Sequence, residues 1–135
     1  PIPTNVGNWV PLSVAVPIID IDEEKYYFSA RAVLGMKNAK KNMKRGLAQN
    51  LKEPCLTVTS HLAKVSLNSR DPVLLVDPLR ERYRRFTPIE AARIQSFPDN
   101  FRFEGSETTA YRQIGNAIPP VLFWHITQSI TAYLK

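Results

Sequence analysis

Four groups of residues in this sequence have chemistry to offer beyond packing. Cys55 follows Pro54 and carries the single thiol of the chain; a thiol becomes a nucleophile when a neighbouring base or positive field turns it into the thiolate. Residues 31–52 hold seven bases (Arg31, Lys37, Lys40, Lys41, Lys44, Arg45 and Lys52) and no acid. A second basic cluster, Arg80, Arg82, Arg84 and Arg85, is interrupted by Glu81 alone. Clustered Lys and Arg either bind a polyanion by releasing its condensed counterions or form a solvated helix face, and charge by itself leaves both readings open. Finally, Gly115 and Asn116 stand before an apolar terminal segment. A glycine there lets the backbone approach a ligand closely, and an asparagine places an amide beside exposed helix-start N–H groups.

The chain that must hold these groups has 135 residues, 18 Lys plus Arg against 12 Asp plus Glu, and a formal charge of +6. With 44% hydrophobic and 22% charged residues it has the composition of one ordinary soluble domain. No apolar run approaches the roughly 18 residues of a membrane span, so no membrane association is expected. The first ten residues, PIPTNVGNWV, lack the pattern of a signal peptide. One cysteine excludes an internal disulfide framework and a cysteine-based zinc cluster. A cytoplasmic location and no metal site are therefore expected.

Four prolines in residues 1–20 predict an extended linker. A helix is expected from Ser29 as cap to about Lys44, with Gly46 as stop. The runs 56–59 and 73–76 read as strands between prolines 54, 72 and 78. Thr87, Pro88 and Glu90 form a capping box for a helix ending near Phe97, before Pro98. A second helix is expected to begin near residues 116–120 and run to the end, with Leu122, Ile126, Ile130 and Tyr133 in one stripe and further apolar residues round its axis. Such a helix needs a cover.

Two strings in the last third carry more than secondary structure. RRFTPIEAARIQSFPDNF at 84–101 and YRQIGNAIPP at 111–120 resemble, in order and spacing, the ninth and tenth motifs of the cytosine-5 DNA methyltransferases. In the first string the family pattern is met by Arg85, Thr87, Glu90, Ala92, Arg93, Ile94, Gln95, Phe97, Pro98 and Asp99. In the second it is met by Tyr111, Gln113, Ile114, Gly115, Asn116 and Ala117. Upstream, Pro54, Cys55, Leu56, Thr57 and Val58 are similar to the Pro-x-x-Thr-hydrophobic element that ends the family's variable target-recognition region.

The resemblance implies an α+β chain: a target-recognition region of short strands and a few helices at 21–86, after a linker at 1–20. Residues 87–135 would then be terminal helices that complete the α/β Rossmann-like methyltransferase domain of the whole enzyme. It implies contacts to S-adenosylmethionine by Gly115, Asn116, Ala117 and Ile118, and makes Thr57 a recognition-loop contact. Thr59, Ser60, His61 and Lys64 then offer groups that read base edges or hold phosphates; His61 either faces DNA or caps the loop. Arg31, Lys37, Lys40, Lys44 and Arg45 become a DNA-backbone surface. The implied partners are double-stranded DNA and the catalytic amino-terminal portion, or a separate large subunit, of the same enzyme. Self-association is expected when that partner is missing.

The glycine-rich donor motif, the catalytic Pro-Cys, the Glu-Asn pair and the Arg-rich motif of the family have no counterpart here. Leu56 follows Cys55 where the family has Gln or Asn, so Cys55 reads as a small buried apolar residue, and no catalytic residue is expected in this chain. In the family reaction the target cytosine is flipped out and attacked by a thiolate before methyl transfer. This chain would choose the site and close the cofactor pocket, as part of a bacterial restriction-modification enzyme, and would be inactive alone. The competing expectation is a stand-alone DNA-binding module whose helix at 87–97 enters the major groove through Glu90, Arg93, Gln95 and Ser96.

Overall fold

The computed structural model describes residues 9–39, 47–64, 71 and 73–134. Its regular elements in chain order are α1 (Leu12–Ala15), α2 (Ala30–Ala39), β1 (Leu74–Asp77), β2 (Arg82–Arg84), α3 (Pro88–Ile94), α4 (Glu107–Asn116) and α5 (Pro120–Tyr133), with short 3-10 turns at Glu24–Tyr26 and Leu62–Lys64. The architecture is α+β, as expected: helices gathered about one small sheet.

That sheet is a hairpin. β1 and β2 run antiparallel, Leu74 facing Arg84 and Leu75 facing Tyr83. The reversal is built by Asp77, whose Oδ1 accepts from the amides of Leu79 (2.9 Å) and Arg80 (3.1 Å), an Asx-type turn that leaves Glu81 at φ 52°. The segment 26–28 lines the outer edge of β2: Phe28 N donates to Tyr83 O and Arg85 N to Tyr26 O, both at 2.9 Å. Arg82–Arg84, part of what read as a surface charge cluster, form a strand in which Tyr83 and Arg84 are buried, with Arg84 paired on both sides.

The capping box forms as read. Thr87 Oγ1 accepts from Glu90 N at 3.2 Å and Glu90 Oε2 accepts from Thr87 N at 2.8 Å. α3 ends one turn earlier than expected, at Ile94, since Ser96 adopts φ 62° and turns the chain away. α3 packs on α1 and α4, and α4 packs on the turn at Leu62–Lys64. The main core joins Leu12, Val16, Val58, Leu62, Leu74, Phe86, Tyr111 and Ile114; a second cluster joins Val33, Met36, Val73 and Tyr83.

Three expectations are corrected. Residues 12–16 do not extend as a linker: Leu12 and Val16 are buried core residues, and the amides of Leu12 and Ser13 donate to the carbonyls of Glu53 and Leu51. Residues 56–59 are not a strand; Leu56 N donates to the side chain of Gln49 (2.9 Å) rather than to a neighbouring strand. The terminal region holds two helices where one was expected. Ser106 caps α4 by accepting from Thr109 N (3.2 Å), so the Tyr111 to Asn116 stretch is helical. The helix at Ser29 is found to Ala39, with Ser29 Oγ accepting from Ala32 N; its expected continuation through Lys44 to Gly46 lies outside the described residues.

Candidate functional site

The segment 57–64 lies against α4, its residues 59–60 at Gly115 near the C-terminal end and its turn at Leu62–Lys64 packed on the same helix. Leu62 anchors it in the core, and around that anchor Thr57, His61 and Lys64 are exposed while Ser60 is half-buried. Thr59 faces inward. Its hydroxyl donates to Asp71 Oδ1 (2.7 Å) and accepts from His61 N (3.2 Å), so this side chain shapes the loop instead of projecting from it.

Opposite the loop, the 115–118 turn was expected to stand at a helix start. Gly115 and Asn116 instead close α4, where carbonyls are left over, and Ala117 and Ile118 lead into α5 at Pro120. Gln95, nearly buried, donates through Nε2 to Ile114 O (3.0 Å) and Ala117 O (3.5 Å) and so ties down that end. Tyr111 holds the helix middle by donating to Phe86 O (2.5 Å), and burial raises its phenol pKa far above the ordinary range. Asn116 and Ile118 are exposed and Ala117 is half-buried. The room that Gly115 leaves is occupied by the chain itself: a Cβ there would lie 2.3 Å from Ser60 N, Thr59 C and Thr59 O. Its close approach is to the 59–60 backbone. α5 then starts at Pro120, its Val121 amide donating to Ser96 Oγ (3.1 Å).

The two basic clusters separate in their use. Arg84 is fully buried, its guanidinium donating to Glu90 in two bonds (2.7 and 2.8 Å) and to the carbonyls of Ile18 and Ile19. Arg85 donates to Ala63 O (2.5 Å) and reaches Glu107 (3.5 Å). Arg82 pairs with Glu24 (2.5 Å) and Asp20 (3.6 Å) over the Tyr27 ring, and Arg80 with Asp77 (3.8 Å). The polyanion reading of that cluster is thereby corrected: its positive charge is compensated within the chain. In the first cluster Lys37 pairs with Glu81, whereas Arg31 is exposed with no ion pair among the described residues. Lys40, Lys44 and Arg45, together with Lys41, lie outside the described residues.

One constellation was missed at the sequence level. Glu107 receives Lys25 Nζ (2.7 Å), Tyr26 OH (3.0 Å) and Arg85, clamping the first turn of α4 to residues 25–26 and to the loop that Arg85 holds at Ala63. Burial pushes the Glu107 carboxyl up, but hydrogen bonds from Lys25 and Tyr26 outweigh it and leave the pKa below its ordinary value. The acid after a serine cap at Ser106 was the available signal.

Cys55 is half-buried, and desolvation pushes its thiol up to about 12, opposite to what a nucleophile requires. It lines an open groove of about 1340 Å³ between α1, residues 48–56 and α3, among Trp9, Pro11, Pro54 and Phe97. Trp9 and Trp124 are 70% and 56% exposed. His125 is exposed and stands edge-on to the Trp124 ring. Among the described residues no group of three His, Cys, Asp or Glu could hold a metal, and no helix is long and apolar enough to cross a membrane.

The family model of the C-5 cytosine-specific DNA methylases matches residues 14–132. The type II methyltransferase M.Sau96I of Staphylococcus aureus is 40% identical over 94 residues, 68% of this chain and 20% of that protein. M.AplI of Arthrospira platensis is 43% identical over 82 residues, 61% of this chain and 23% of its own length. The chain thus spans about a fifth of the length of these relatives. Among solved structures, the Dnmt2 methyltransferase of S. pombe superposes with a TM-score of 0.69 at 15% identity, over 97% of this chain and 44% of that one. The Entamoeba histolytica methyltransferase EhMeth gives 0.71 at 18% identity, over 100% and 44%. At those identities the likeness concerns the fold, and it extends along the whole chain. With the family model spanning the hairpin, both motif helices and α5, this chain belongs to the C-5 cytosine-specific DNA methylase family.

Proposed function

We propose that this chain is the target-recognition and donor-turn part of a cytosine-5 DNA methyltransferase of a restriction-modification system. It would act with a catalytic amino-terminal portion or a separate large subunit and perform no covalent step itself. One observation supports the reading: the loop at 57–64 packs on α4 with its residues 59–60 against Gly115, next in the chain to the turn at 116–118. Reading a base and presenting a methyl donor are tasks that must meet at one flipped cytosine.

In that arrangement Ser60, His61 and Lys64 supply a hydroxyl, an imidazole and an ammonium toward base edges and phosphates, and Arg31 adds a phosphate contact, joined by Lys40, Lys44 and Arg45. Thr59 and Lys37 act indirectly, through the Asp71 and Glu81 bonds that hold loop and helix. The residues of the turn suit S-adenosylmethionine. The Asn116 amide is exposed and has no hydrogen-bond partner among the described residues, beside the half-buried Ala117 and the exposed Ile118, so one polar group and two apolar surfaces are free. When bound, that cofactor supplies an electrophilic methyl group. Asn116 would hold and orient it, and the fixed end of α4 would keep Asn116 in place.

The stand-alone DNA-binding reading loses its helix. Glu90 is bound to Arg84, Arg93 to Asp99 (2.7 Å), Gln95 to the end of α4 and Ser96 to the start of α5, so each of its four polar groups is engaged within the chain, which weighs against that reading.

The test is reconstitution. Methyl transfer to duplex DNA is expected from this chain combined with a family catalytic part and from neither alone. Ser60→Ala and His61→Ala should then change site preference, and Asn116→Ala should raise the requirement for S-adenosylmethionine more than that for DNA. A catalytic part equally active and equally selective without this chain would defeat the proposal.

A further inference from the structure

Gly115 occupies the last turn of α4 with ordinary helical backbone, where alanine would be favoured by about 1 kcal/mol over glycine. Its conformation does not call for glycine, so its surroundings must. A Cβ at this position meets Ser60 N, Thr59 C and Thr59 O, each at 2.3 Å. All three are backbone atoms, and no change of rotamer relieves such a contact; either the loop or the helix has to move.

Both are held. Thr59 is tethered to Asp71 (2.7 Å), Leu62 is buried at 1% exposure, and Ala63 O accepts from Arg85 (2.5 Å). Arg85 also reaches Glu107 at the opposite end of α4, while Gln95 pins Ile114 O and Ala117 O. The loop is thus seated on α4 at two places: directly at Gly115 and through Arg85 near the first turn.

We propose that Gly115 is a positioning residue for the DNA-reading loop. By lacking a side chain it fixes how deeply residues 59–60 sit on α4, and hence where Ser60, His61 and Lys64 stand relative to the donor turn. This rests on the reading above that the loop faces DNA and that residues 116–118 face the donor, but it moves Gly115 from the donor side to the DNA side. Two neighbours in sequence then serve different substrates.

The test compares Gly115→Ala with Thr59→Ala in the reconstituted enzyme. Amide hydrogen exchange over 57–64 reads the seating of the loop; KM for DNA and KM for S-adenosylmethionine read its use. Gly115→Ala should speed exchange in that segment about tenfold and raise the DNA KM about tenfold, with the donor KM within about twofold. Thr59→Ala releases the opposite tether while keeping Gly115, so it should give the same split at about threefold and carries the test if Gly115→Ala does not fold. Unchanged exchange in the folded variants, or a donor KM that rises more than the DNA KM, overturns the proposal. Faster exchange with an unchanged DNA KM shows a loop that Gly115 seats but that does not meet DNA; that result overturns the functional reading and the proposal with it.

Discussion

Among the described residues Arg84 is the bulkiest side chain fully withdrawn from solvent, and its charge is tolerable because each face of the guanidinium fork is matched. Glu90 takes two bonds, and the carbonyls of Ile18, Ile19 and Arg85 take the rest, as a buried charge requires. Removing one partner leaves the other charge buried and alone. Arg84→Met is therefore expected to destabilise by about 3–5 kcal/mol in urea unfolding. Glu90→Leu combined with Arg84→Met should recover part of that loss, because no lone charge remains; a double variant no better than the single one would show that the carbonyl bonds matter more than the pair. Cys55 gives the opposite kind of expectation. With its thiol held at about 12, little thiolate exists at neutral pH. Cys55→Ala is expected to leave methyl transfer by the reconstituted enzyme within about twofold of the parent, and loss of activity would make it a reacting group after all.

The elements are joined by a small number of polar clamps as well as by the core. Glu107 links α4 to residues 25–26 and, through Arg85, to the loop at 57–64. Its folded-state pKa lies below the ordinary value, so the clamp stabilises the fold above the unfolded-state pKa of about 4.3 and its contribution is lost as pH falls through the depressed folded value. Glu107→Gln should thus lower the unfolding midpoint at pH 7, and the gap between variant and parent should narrow as pH is lowered from about 5 to 3. A gap that stays constant over that range would mean the carboxylate charge is not what holds the clamp. α2 and the hairpin are joined in the same manner by Lys37 and Glu81, but on the surface, where such a pair contributes about 0–1 kcal/mol.

At the scale of the molecule the unusual feature is α5. It contains no buried residue, and Val121, Leu122, Phe123, Trp124, Ile130 and Tyr133 are each more than half exposed or close to it. An apolar surface of that extent marks an interface, and the proposed catalytic part is the partner that the functional reading supplies. The chain alone should self-associate, and the catalytic part should displace it from itself. Because α5 has no fully buried residue and Leu122 and Ile130 are 50% and 53% exposed, Leu122→Asp with Ile130→Asp should abolish both associations while leaving the thermal midpoint nearly unchanged. Sedimentation velocity reads the first and calorimetry the second; a fully monomeric parent at concentrations near 100 µM, of the order typical for weak contacts, would remove the argument.

What the sequence determined by itself was local or written in side-chain order. The capping box of α3 needs three neighbouring residues and formed as read; the two motif strings carried the family, which the match over 14–132 supports; the apolar terminal helix was visible from its residues. The tertiary structure decided what those residues are for. Whether an arginine is left free for a polyanion or meets a carboxylate depends on chain brought from 58 residues away, as with Arg82 and Glu24. Residues 56–59 look like a strand because Leu, Thr and Val favour extended backbone, yet a strand needs a neighbour, and here the backbone passes over Gly115 instead. Gly115 itself reads in sequence as a flexible turn beside a ligand. Only folding reveals that its missing side chain makes room for the chain's own loop, since the atoms that exclude a Cβ there lie 55 residues earlier, at Ser60.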